Sequence, residues 1–132
     1  MGEIGELLGF LIIVFYSLAV LNFCFKFANR KFKGTLKKKE SFYKVYMSIL
    51  KILLKYHKYF GGATILMISL HFLVQYNQSG ISITGVVAAG MMLLQIALGM
   101  YGQFKKVKNK NWLNIHRGIA VVILITIVIH IL

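Results

Sequence analysis

Apolar residues gather along the chain in four long runs, residues 7–25, 56–76, 81–104 and 112–132, with polar stretches between them. The only charges inside the runs are Lys58 and Arg117, each close to one end. At about 1.5 Å per residue, a run of roughly 20 crosses the ~30 Å hydrocarbon core of a bilayer. Backbone at that depth has no water to bond, so each run must satisfy its own N–H and C=O groups, which predicts four helices. Little chain is left over. The expected architecture is all-α: one domain over residues 1–132, a transmembrane four-helix bundle.

The stretch before span two carries a second pattern. Lys44, Lys51, Lys55 and Lys58 recur at steps of 7, 4 and 3, on one helical face. Phe42, Val45, Tyr46, Ile49 and Leu53 cluster on the opposite face. This predicts an amphipathic surface helix on the inner membrane face, leading into span two. The alternative is that span two starts early, with its lysines among the headgroups. The surface helix is preferred.

Composition agrees with a membrane protein: 58% of residues are hydrophobic, mean hydropathy is +0.74, and there is no proline. The net charge of +13 raises the question of nucleic acid. Its distribution answers against that partner. Basic residues crowd the segment after span one and the loop between spans three and four, while "NQSG" between spans two and three is uncharged. Basic loops stay in the cytoplasm. Both termini are therefore expected outside and the basic loops inside a prokaryotic cell membrane, with a secondary attraction to anionic membrane lipid. Acidic rather than basic residues precede the first run, so no removable signal peptide is expected. Cys24, the only cysteine, excludes an intrachain disulfide and a Cys-x-x-Cys-His haem attachment.

The candidate chemistry lies in the histidines. The chain has four, all in spans two and four: His57 and His71 are 14 residues apart, as are His116 and His130. Fourteen residues rise about 21 Å through close to four turns, so both members of a pair share a face. Spans two and four run in the same direction. Side by side, they bring His57 level with His116 and His71 level with His130, in two stacked sites. A single intramembrane histidine is often just a hydrogen-bond partner for a neighbouring helix. Four in two matched pairs are harder to explain that way, and an ionisable residue in a span is a functional candidate.

Neutral imidazole donates a ring nitrogen to a metal. Two opposed imidazoles across an apolar gap suit the axial positions of a haem iron. In span three Gly85 and Gly99 repeat the spacing of 14, and glycine leaves room for a large flat group. Lys58 and Arg117 directly follow the two inner histidines. They are placed to meet the carboxylates of an inner haem, to snorkel to the headgroups, or both. Gln95 and Asn22 are expected to link helices, Met91, Met92 and Met100 to pack, and Trp112 to anchor at the interface.

Two helices each carrying His-x13-His resemble the di-haem cytochromes b of membranes. The pattern looks like the core of the cytochrome b subunit of quinol–cytochrome c oxidoreductases, and is similar to ferric-reductase-like transmembrane domains. His57, His71, His116 and His130 carry the resemblance, supported by Gly85 and Gly99, over about residues 7–132. It implies two haem b groups, with His57 and His116 on the inner iron and His71 and His130 on the outer. Span one departs from the pattern: Gly5 is followed 14 residues later by Ala19, and Gly9 by Phe23. Without proline, the Pro-Glu-Trp-Tyr quinol motif is absent. Eukaryotic ascorbate-reducible cytochromes spread their ligands over four helices, whereas here two helices hold them all.

The expected function is transmembrane electron transfer, as a small cytochrome b or as the membrane subunit of an oxidoreductase within a larger redox complex. The only acids are Glu3, Glu6 and Glu40, so no intramembrane carboxylate relay is expected. Electrons are expected to enter and leave through donor and acceptor proteins or quinone, the basic inner face suiting an acidic redox protein or flavoprotein. The alternatives are a transition-metal transporter or channel using the same imidazoles, and a structural membrane subunit. Transport sites favour broken helices near the midplane. Here "ATILMIS" and "VVILITIV" are apolar and unbroken, which favours haem.

Overall fold

In the structure, a computed structural model describing residues 2–132, four helices account for nearly the whole chain. They are α1 (Glu3–Lys37), α2 (Glu40–Ser79), α3 (Ile83–Phe104) and α4 (Lys110–Ile131). All four are long and apolar enough to cross a membrane, and no strand occurs among the described residues. The all-α class and the four candidate spans are as the hydropathy pattern predicts.

The connections are short and chemically explicit. Gly80 ends α2 with φ +78°, a left-handed conformation that costs glycine little. The Ser82 side chain accepts from the Gly85 N–H at the start of α3, and Asn109 accepts from the Trp112 N–H at 2.8 Å at the start of α4. Each satisfies one of the N–H groups a helix start leaves open.

The segment between spans one and two differs from expectation. The surface helix is not a separate element. The amphipathic stretch is helical but runs without interruption into the span, so α2 is 40 residues long. Residues 40–60 contain neither proline nor glycine, and their lysines and leucines are good helix formers, so nothing there ends a helix. Likewise α1 continues 12 residues past the first apolar run, to Lys37, with a kink where Phe32 adopts φ −116°, ψ 20°. The long basic loop is thereby reduced to a turn at residues 38–39.

The chain divides into two compact units. In the unit Gly9–Met67, α1 and α2 are joined by the Tyr46 ring stacked on Phe25 at 4.8 Å. The Tyr46 hydroxyl also donates to the Phe25 carbonyl. Leu50, Leu53 and fully enclosed Thr64 are buried, and the Thr64 hydroxyl donates to the Phe60 carbonyl at 2.8 Å. The other unit comprises Ile68–Leu132 with the chain up to Leu8. There α3 and α4 pack directly on each other, with Met92, Gln95 and Ile123 buried. Most other apolar side chains point outward, as expected where lipid rather than water is the surrounding solvent.

Candidate functional site

His71 on α2 and His130 on α4 belong to the same unit, and their rings come together. The ring centres are 6.4 Å apart and the planes stand at 89°. The Nδ1 of His71 lies 3.0 Å from the Gly5 carbonyl oxygen. A carbonyl only accepts, so Nδ1 carries the proton of the neutral ring, and Nε2 keeps its lone pair. The Nδ1 of His130 lies 3.0 Å from the Thr84 hydroxyl, which in turn lies 3.0 Å from the Ser82 hydroxyl. When Thr84 accepts, His130 is in the same tautomer. A histidine that ligates a metal commonly donates its other ring N–H in this way, which fixes its orientation and raises its basicity.

The separation of the rings is itself a test of fit. With a metal–nitrogen bond of about 2 Å and roughly 1 Å from nitrogen to ring centre, two axial imidazoles stand about 6 Å apart. The His71 and His130 ring centres, 6.4 Å apart, are close to that spacing. Bare-ion sites usually need three or four protein ligands. Among the described residues no group of three or more His, Cys, Asp or Glu converges for that purpose. A porphyrin supplies the four in-plane nitrogens itself and asks the protein for axial ligands only.

The inner pair is divided between the units: His57 in Gly9–Met67, His116 in the other. His57 repeats the arrangement of His71, its Nδ1 donating to the Ala19 carbonyl at 3.0 Å. His116 sits in a tighter setting. Trp112 stacks on its ring at 5.4 Å and 13°. The Gln95 amide donates to the His116 backbone carbonyl at 2.8 Å and approaches the His116 Nε2 at 3.4 Å. The second contact is long and leaves Nε2 as the accepting nitrogen.

Gly85 and Gly99 face imidazoles directly. A Cβ on Gly85 would lie 3.0 Å from Cε1 of His130, and one on Gly99 would lie 3.6 Å from Cε1 of His116. The room these glycines leave is therefore taken by the histidine rings themselves. Of the basic neighbours, Lys58 is exposed, its ammonium 5.1 Å from the Tyr59 ring centre, and Arg117 is half-buried in the other unit.

Two further features escape a reading of side-chain types. Gly5 and Ala19 lie 14 residues apart on α1, and their carbonyls receive His71 and His57. The period of the histidines thus recurs on span one, carried by backbone oxygens. A helical carbonyl can accept twice because it has two lone pairs, so any residue type serves there. The second feature is Trp112, which is more than an interface anchor. Its indole N–H donates to the Leu98 carbonyl at 3.1 Å, and its ring fills the notch at buried Gly102. Together with Gln95, it locks α3 to α4 beside His116.

These observations define an all-α protein of four candidate membrane spans in which the His71 and His130 rings come together. Comparison with protein-family models, with curated proteins and with solved structures finds no match for this chain.

Proposed function

We propose that this chain is a membrane cytochrome that passes electrons across the bilayer through two bis-histidine b-type haems, one on His71 and His130 and one on His57 and His116. The supporting observation is the outer pair: two rings 6.4 Å apart, with Nδ1 of each 3.0 Å from an oxygen partner, an arrangement that suits Nε2 of each to a metal. When bound, haem supplies one-electron chemistry by cycling its iron between two oxidation states. The protein's own part is to hold and to insulate. Gly5, Ala19 and Thr84 fix the imidazoles through Nδ1. Trp112 braces His116 against rotation. The apolar spans keep water from the site, and Arg117 and Lys58 are cationic groups adjacent in sequence to the inner ligands, suited to propionates. Electrons are exchanged with donor and acceptor proteins or quinone, so the chain works as a carrier or as the membrane subunit of an oxidoreductase.

The test is optical. Membranes containing the chain, supplied with haem, are expected to show a Soret band that shifts on dithionite reduction, with two haems per chain by pyridine haemochrome assay. His71→Ala and His130→Ala should each leave one haem, and the double variant should also leave one. Absence of a Soret band, or a full complement in His71→Ala, refutes the proposal.

A further inference from the structure

The four imidazoles are not held alike. His57, His71 and His130 each meet an oxygen through Nδ1, at 3.0 Å from the Ala19 carbonyl, the Gly5 carbonyl and the Thr84 hydroxyl. At His116 a neighbour reaches the other nitrogen: the Gln95 amide nitrogen lies 3.4 Å from Nε2. Both residues belong to the packed α3–α4 pair of one unit. A Cβ on Gly99 would lie 3.6 Å from Cε1 of His116, so the Cε1–Nε2 edge of this ring faces α3 at Gly99 and Gln95. Trp112 covers a face of the same ring, stacked within 13° of parallel.

The groups themselves decide who donates. The Gln95 amide nitrogen lies 2.8 Å from the His116 backbone carbonyl, which only accepts, and this fixes which end of the amide points to His116. The amide's second N–H then faces the imidazole, and it needs a lone pair there, which makes Nε2 the unprotonated nitrogen. A buried lone pair left without a donor is costly, so the contact stabilises the haem-free chain. It is nonetheless weak. At 3.4 Å it is long for a hydrogen bond. Gln95 is 8% exposed, and its Oε1 is buried with no hydrogen-bond partner among the described residues, which weighs against the amide as placed. A ligand competing for Nε2 has to displace only this second N–H, while the bond to the carbonyl keeps the amide beside the ring.

We propose that Gln95 caps the ligating nitrogen of His116, holding the inner imidazole closed in the haem-free chain, so that haem binds there in competition with the amide. The inference rests on the reading of His57 and His116 as the inner ligands. The cap opposes haem binding, whereas the bond to the backbone carbonyl supports the packing of α3 on α4. Removing the amide therefore moves stability and inner haem affinity in opposite directions. A purely structural role for Gln95 lowers both.

The test uses the full chain in nanodiscs and the variant Gln95→Met, which keeps the length of the side chain and loses the amide. In haem-free protein carrying ¹⁵N-labelled histidine, the Nε2 resonance of His116 is assigned by its loss in His116→Ala. Gln95→Met should move it downfield, as a lone pair released from a donor does. In a His71→Ala, His130→Ala background, which isolates the inner site, Gln95→Met should tighten haem binding about two- to tenfold, the contribution of one neutral hydrogen bond. In a His57→Ala, His116→Ala background the outer haem affinity should stay as it was. An unmoved resonance, an inner affinity unchanged or lowered, or an equal gain at the outer site overturns the cap and leaves haem binding standing. A chain that takes up no haem, with Gln95 or with Gln95→Met, overturns the proposed function and this inference together.

Discussion

Gly102→Ala probes how α3 and α4 are locked beside His116. A Cβ at this position would lie 2.0, 2.5 and 2.6 Å from Cζ2, Cε2 and Cη2 of Trp112. Carbon atoms in contact rest about 3.5–4.0 Å apart, so the indole must retreat by roughly 1.5 Å or the helices must part by as much. The indole cannot retreat freely, because its N–H is bonded to the Leu98 carbonyl at 3.1 Å and its face is stacked on His116. The displacement costs about 1 kcal/mol for the hydrogen bond, about 0.5–1.5 for the stacked pair and about 1–3 for overpacking, or roughly 3–5 kcal/mol together. Trp112→Leu removes the obstacle, so Gly102→Ala should be nearly neutral in that background, with a coupling of about 3–5 kcal/mol. Trp112 is the only tryptophan, so its emission during unfolding in mixed micelles reports the site without a label. Gly102→Ala should red-shift that emission and lower the unfolding midpoint; on the proposed function it also weakens the inner haem and spares the outer. The Trp112→Leu pair is followed by helical circular dichroism in the same micelles. A Gly102→Ala variant with native emission and midpoint, or an equal loss when Trp112→Leu is already present, refutes the notch as described.

The two glycines that face imidazoles should behave differently. On the proposed function, Gly85→Ala, whose Cβ lies 3.0 Å from the His130 ring, should reduce outer haem occupancy, whereas Gly99→Ala makes an ordinary 3.6 Å contact with His116 and should change haem binding by less than about twofold, read by haem titration. Thr84→Val leaves His130 Nδ1 without its hydroxyl and, on the same proposal, is expected to weaken outer haem binding about 10- to 100-fold. Thr84→Ser, which keeps the hydroxyl, should restore most of that affinity, and failure to do so assigns the loss to shape. Gln95→Leu removes the bond to the His116 carbonyl and should cost about 1 kcal/mol in the same micelle unfolding assay; an unchanged midpoint argues against a clamp at Gln95.

Much of the architecture is a property of composition along a line. Four apolar runs of bilayer length predict four helices without reference to any contact, because backbone in hydrocarbon has no other stable arrangement for a single run. The boundaries outside the membrane are less legible. Residues 26–55 look like a basic loop with one amphipathic segment, yet all but the turn at residues 38–39 is helix, since nothing there stops a helix once spans on both sides have nucleated it.

The candidate site divides in the same way. The spacing of 14 between His57 and His71, and between His116 and His130, is readable directly, because helical geometry converts it into a shared face. The pairing of His71 with His130 at 6.4 Å, and the carbonyls of Gly5 and Ala19 that orient His71 and His57, belong to the tertiary structure alone. A backbone oxygen is the same in every residue, and its second lone pair orients an imidazole only when another helix brings one to it. The Trp112 ring in the Gly102 notch is of the same kind: neither residue type announces the other, and only the packing of α3 on α4 makes them one feature.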